Sequence, residues 1–177
     1  MKYTAGFIGC GNMGGALAKA VSKYSKNILI YDKDGEKAQK FAKSIKATYV
    51  SGTKELCENC KFIFLGVKPN IIPFVCDEIK PYISDENIII TMAAGVKISL
   101  AEEKTHAKNI IRIMPNTPCQ TGAGMVLYCA NKGGSENTAE FLALMKYAGK
   151  IDNISDRFYY WRKLCRYSIF NKRSNYK

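Results

Sequence analysis

The sequence predicts an α/β fold with a mostly parallel sheet, and three observations predict it. Apolar runs of strand length alternate with helical stretches from end to end. The run "FIFLGV" is nearly all apolar, as a parallel strand covered by helices on both faces must be. The first strand runs straight into a glycine-rich turn that opens a helix.

The elements follow in order. "YTAGFIG" is a short strand entering "GCGNMGG", and "ALAKAVSKYSK" continues as a helix with Leu17, Val21 and Tyr24 on one face. "NILIYD" is a strand ending in an acid. "GEKAQKFAKSIK" is a helix whose apolar stripe is Ala38, Phe41, Ala42 and Ile45. A short extended "ATYV" precedes a helix near Thr53–Asn59 and the strand "FIFLGV". "IIPFVCDEI" reads as a helix interrupted early by Pro73, and "NIIITMAAG" as a buried strand closed by small residues. Then come the short helix "SLAEEK", the strands "NIIRIMP" and "GMVLYCA", the helix "SENTAEFLALMKYAG" capped by Ser135, and a last strand "KIDNIS".

Composition narrows the class. A hydrophobic content of 47% with 24% charged residues is that of a soluble globular protein. No apolar run approaches the ~18–20 residues of a membrane span, so no membrane partner is expected. The N-terminus lacks the pattern of a secretory signal. Seven scattered cysteines, an odd number, point to reduced thiols and a cytoplasmic location. The net charge of +12 is uneven: residues 157–177 carry seven Lys/Arg and no acid, leaving +5 on the first 156. Seven of the twenty aromatics also fall in that tail. The expected division is a dinucleotide-binding domain over 1–156 and an atypical basic, aromatic tail over 157–177.

The chemistry sits in the turns. Gly9-x-Gly11-x-x-Gly14 follows a strand and opens a helix: Gly9 for the tight turn, Gly11 for close approach of a pyrophosphate, Gly14 for helix–strand packing. A glycine triad alone also suits any tight strand–helix turn. Here both flanks match, and Asp32 stands 23 residues after Gly9 at the end of the second strand. A carboxylate there accepts ribose hydroxyls, which suits NADH and disfavours a 2′-phosphate. Lys33 next to it offsets that for NADPH, or is an exposed loop charge. Three further strand ends converge on the same crevice: Val67-Lys68-Pro69, Ala93-Ala94-Gly95, and the rigid turn Pro115-Asn116-Thr117-Pro118.

Together, "GFIGCGNMGGALAKA", "FLGVKPNIIPFV", "AAGVKIS" and "IIRIMPNTPCQTGAGM" resemble pyrroline-5-carboxylate reductase. The resemblance runs from residue 3 to about 156. It implies a Rossmann-like domain that reduces 1-pyrroline-5-carboxylate, a cyclic imine carboxylate, to L-proline with NADPH or NADH. It further implies that Gly9, Cys10, Gly11, Asn12, Met13 and Gly14 hold pyrophosphate, and that Asp32, Lys33 and Thr53 lie near the adenosine. The family often has Asn where Thr53 stands. Val67, Lys68, Pro69, Ala93, Ala94 and Asn116 would line the nicotinamide half; no catalytic acid is assigned. Small side chains at Ala93, Ala94 and Gly95 would let a flat ring lie close to the backbone.

The departure is at the end. Family members continue with a helical domain that binds the substrate carboxylate and forms homo-oligomers, and nothing after Phe158 resembles it. The sudden loss of Ala, Gly, Val and acids is what an out-of-frame stretch gives, and the expectation is then a truncated chain of impaired activity. As an alternative, Phe158, Trp161, Leu164 or Cys165, and Ile169 would share one face if the tail is helical, with Arg162, Lys163 and Arg166 around it, a pattern suited to an anionic membrane, a partner or single-stranded nucleic acid. Two rivals for the whole chain are a 3-hydroxy-acid dehydrogenase-like oxidoreductase and a non-catalytic nucleotide-binding fragment. Cys57 and Cys60 have half-site spacing for zinc, but with His106 as the sole histidine they read as incidental thiols and no metal is expected. His106 reads as a solvated helix residue. Cys10, at a helix N-terminus, is either a reactive thiol or a small loop residue.

Overall fold

The computed structural model describes residues 1–154, and the basic tail expected over 157–177 lies outside the described residues. The strands are β1 (Tyr3–Ile8), β2 (Ile28–Tyr31), β3 (Thr48–Tyr49), β4 (Cys60–Leu65), β5 (Ile88–Thr91), β6 (Asn109–Pro115), β7 (Gly124–Ala130) and β8 (Gly149–Asn153). The helices are α1 (Asn12–Val21), α2 (Gly35–Ile45), α3 (Thr53–Asn59), α4 (Ile72–Ile79), α5 (Ile98–Thr105), α6 (Lys132–Glu136) and α7 (Thr138–Met145). They form one sheet in the order β3-β2-β1-β4-β5-β6-β7-β8. Every pairing is parallel except β6 with β7. This is the Rossmann-like α/β fold with a mostly parallel sheet that the sequence predicts.

The sheet is buried on both sides because its strands are apolar at consecutive positions. Phe62 and Phe64 face one core with α1, α2 and α7, while Ile63 and Leu65 face the other with α3, α4 and α5. Phe7 and Phe64 stack across the β1–β4 pair with ring centroids 4.3 Å apart. Burying each such ring contributes about 1.5–3 kcal/mol. The chain steps outward from β1 to β3, then returns to place β4 on the other side of β1. That reversal opens a crevice beyond the C-terminal ends of β1 and β4.

Three local expectations are corrected. Helix α1 ends at Val21, where the Ser22 hydroxyl donates to the Lys19 carbonyl at 2.9 Å and competes with the helix. Tyr24 therefore sits in the following turn, 45% exposed, rather than on the buried face. Pro73 does not interrupt α4 but stands in its first turn, where the missing N–H removes nothing. The helix expected after Ser135 is two, α6 and α7, and the cap is Asn131, whose side chain accepts from the Gly134 N–H at 2.8 Å. Ser135 lies inside α6, its hydroxyl donating to the Asn131 carbonyl.

Candidate cofactor site

The glycine loop is an interlock of three chain segments. Gly9 has φ of +97°, a left-handed conformation, and its N–H donates to the Tyr31 carbonyl at 2.7 Å. A methyl group on Gly14 would sit 2.3 Å from the Gly9 carbonyl oxygen, and one on Gly66 would sit 2.6 Å from the same atom. Strand β1, helix α1 and the end of β4 thus approach closer than any side chain permits. Gly66 was not singled out from the sequence, although a glycine closing the buried run "FIFLG" is the signal that finds it.

Gly11 differs from its neighbours. It has an ordinary φ of −66°, and a methyl group there would meet no protein atom within 4 Å. The space it leaves opens outward. Gly11 is the N-cap of α1, with no side-chain cap and no acid in the first turn, so the helix presents unpaired N–H groups and the positive end of its dipole. A cleft of about 220 Å³ lies against it, with Asn12, Lys19, Lys37 and Gln120 in its walls. Open backbone approach, orphan N–H donors and two lysines fit a pyrophosphate. Lys37 and Gln120 were not legible as site residues, because α2 and the turn Thr117–Thr121 bring them in from elsewhere in the chain; Lys19 lies on α1 itself, two turns beyond the loop.

Asp32 at the end of β2 is tied to this loop. Its Oδ2 accepts from the Cys10 N–H at 2.8 Å and faces the Cys10 thiol at 3.4 Å, while Oδ1 accepts from the Asp34 N–H at 3.2 Å. Oδ1, with a single donor, keeps capacity for another, such as a ribose hydroxyl. Burial works to raise the Asp32 pKa, but these N–H bonds and the Lys37 charge outweigh it and hold the carboxyl below its usual value. Burial, then the hydrogen bond and charge of Asp32, push the Cys10 thiol up to about 11. Cys10 is a packed loop residue and not a reactive thiolate.

A second cleft, of about 460 Å³, runs from Asp32 and Lys33 to the start of α4. Its floor holds Val67, Ile71 and Phe74, the last two 39% and 71% exposed. Lys68 and Pro69 are exposed beside it. Thr53 does not line the cleft: it is 4% exposed, and its hydroxyl donates to Glu78 Oε1 at 2.7 Å.

The remaining strand ends lie at the same edge, since Ile8, Leu65, Thr91 and Arg112 are in register across β1, β4, β5 and β6. Ala93 is buried in the core, while Ala94 and Gly95 are exposed; Gly95 has φ of +77° with open space where a side chain would be. Among the described residues, Thr91 Oγ1 is the buried side-chain polar atom without a partner. Asn116 does not point a whole amide outward. Its Oδ1 accepts from the Met125 N–H at 2.8 Å and pins the turn to β7, leaving the Nδ2 end.

Cys57 and Cys60 are fully buried, and burial pushes the Cys57 thiol up to about 12. His106 is exposed at the end of α5, in a left-handed cap. Among the described residues no cluster of three metal-ligating side chains occurs, and no helix is long and apolar enough to cross a membrane.

A family model described as NADP oxidoreductase, coenzyme F420-dependent, matches residues 4–95. The chain belongs to this family. The chain is also similar to pyrroline-5-carboxylate reductases, as its motifs led one to expect. It is 34% identical to pyrroline-5-carboxylate reductase 3 of Danio rerio over 83% of this chain and 53% of the relative. It is 31% identical to the pyrroline-5-carboxylate reductase of Escherichia coli K12, over 88% of this chain and 60% of the relative. Among solved structures, Plasmodium falciparum pyrroline carboxylate reductase with NADP bound matches with a TM-score of 0.76 and 31% identity, over 88% of this chain and 59% of the other. The chain therefore spans between half and two thirds of the length of these relatives.

Proposed function

We propose that this chain carries the cofactor half of a cytoplasmic reductase that converts 1-pyrroline-5-carboxylate to L-proline with NADPH or NADH. The observation that carries this reading is the outward-opening Gly11 position at an uncapped helix N-terminus, in a chain whose relatives are pyrroline-5-carboxylate reductases. The bound cofactor would supply the hydride.

The residues have separate tasks. Gly9 to Gly14 hold the pyrophosphate on backbone N–H groups, with Lys19 and Lys37 balancing its charge. Asp32 accepts from the adenosine ribose, and Lys33 offsets a 2′-phosphate where one is present. Val67, Lys68 and Pro69 line the nicotinamide half of the dinucleotide. Ala94 and Gly95 leave room for the nicotinamide ring to lie against backbone, and Asn116 offers its Nδ2 hydrogens there. Their contribution is to orient the ring toward the imine carbon and to exclude water. No described residue is assigned as a proton donor. As in its family, the working protein is a homo-oligomer.

Calorimetric titration of the full chain with NADH and NADPH tests the site, and saturable one-site binding of at least one is expected. Binding of neither at millimolar concentration overturns the reading. Cofactor oxidation on adding 1-pyrroline-5-carboxylate supports the substrate. Oxidation driven only by a 3-oxo acid would select the dehydrogenase rival instead.

A further inference from the structure

The cleft beyond Asp32 contains a carboxylate that none of the tasks above uses. Glu78, on α4, lines this cleft together with Ile71, Phe74, Asp32 and Lys33. Exposed glutamates are ordinary; this one is fixed. The buried Thr53 hydroxyl, at the start of α3, donates to its Oε1 at 2.7 Å. Among the described residues no lysine or arginine lies within 4.0 Å of it, so its charge is not consumed by an ion pair. Burial, then the charges of Glu78 and Asp32, raise the Tyr31 phenol, which agrees with both carboxylates facing this cleft.

An ionised carboxylate is an acceptor only. Beside it, Ile71 and Phe74 expose apolar side chains on which a flat ring can lie. A ring with a hydrogen-bond donor on its edge satisfies both features. A dinucleotide with its pyrophosphate on α1 and its ribose on Asp32 places its adenine in this cleft. Resting on the proposed cofactor site, we infer that Glu78, positioned by Thr53, accepts a hydrogen bond from the 6-amino group of adenine lying on Ile71 and Phe74, so that the cleft selects adenine over hypoxanthine. Hypoxanthine carries an oxygen in place of that amino group, and two acceptors then face each other.

The test compares NADH with nicotinamide hypoxanthine dinucleotide, reduced form, by direct titration of the full chain. The wild type is expected to bind NADH about tenfold more tightly, the scale of one charge-assisted hydrogen bond at a cleft rim. Glu78→Gln, whose amide can donate or accept, should bring the two within about twofold. Thr53→Val should lose part of the preference and Thr53→Ser should keep it, which a purely structural role for Thr53 would not produce. Equal binding of both dinucleotides by the wild type, or an undiminished preference in Glu78→Gln, overturns the inference and leaves the cofactor site standing. Binding of neither overturns both.

Discussion

The two edges of the sheet carry clefts of opposite character. The larger, about 610 Å³, lies at the N-terminal ends of the strands, around Tyr3, Lys61 and Asn109, and its charged walls include Asp85, Glu86, Glu136 and Glu140. The smaller clefts, about 220 and 460 Å³, lie at the C-terminal ends, around Gly11 and Asp32. Volume favours the first, yet its charges are largely side chains in solvent or in pairs such as Lys61–Glu140 and Lys108–Asp85. The glycine edge instead offers backbone N–H groups fixed by a helix start, which need no reorganisation to meet an anion. In a parallel sheet each strand's C-terminal end feeds a helix N-terminus, so direction of chain decides which edge binds phosphate. Size does not.

The largest way to break this contrast is to break the interlock itself. Gly14→Val, driven into the Gly9 carbonyl, should cost about 3 kcal/mol or more in denaturant unfolding. Gly11→Val separates binding from folding: stability should change by less than about 1 kcal/mol, while dinucleotide affinity falls about a hundredfold. If both variants unfold alike, the open space at Gly11 is not a binding feature. Asp32→Ser sharpens the difference between cofactors, with the NADPH-to-NADH affinity ratio rising about tenfold. An unchanged ratio means Asp32 does not meet the ribose.

Acidification and alkylation probe the same carboxylate. Because the folded Asp32 pKa is depressed, its stabilisation is present above the unfolded value near 3.9 and is lost as pH falls through the lower folded value. Asp32→Asn should flatten that acid limb. Alkylation of Cys10, followed by peptide mass spectrometry, should rise about tenfold per pH unit toward its pKa of about 11, and Asp32→Asn should speed it at pH 8. The smallest effect belongs to the other edge. Glu140→Gln removes a half-exposed ion pair, should cost less than about 1 kcal/mol, and should leave dinucleotide affinity unchanged.

The sequence made the backbone logic of the glycine edge legible and its side-chain furniture less so. Gly9, Gly11, Gly14 and Asp32 are readable because each role follows from what sits next to it in the chain. Gly66, Lys37 and Gln120 come from separate segments, and only the sheet order brings them to the loop. Thr53 and Glu78 are 25 residues apart, and the bond between α3 and α4 that joins them has no local pattern. The split into α6 and α7 was missed because Asn131, not Ser135, is positioned to satisfy the first N–H groups. The antiparallel β7 follows from the compact turn Thr117–Thr121, which leaves no length for a crossover helix.

Amide hydrogen exchange of the full chain with and without saturating NADH tests the contrast between the edges most directly. The account predicts new protection at the Gly9–Gly14 segment and around Ala94–Gly95, with none at Tyr3, Lys61 or Asn137. Protection confined to those residues of the larger cleft, with the glycine loop unchanged, would contradict it.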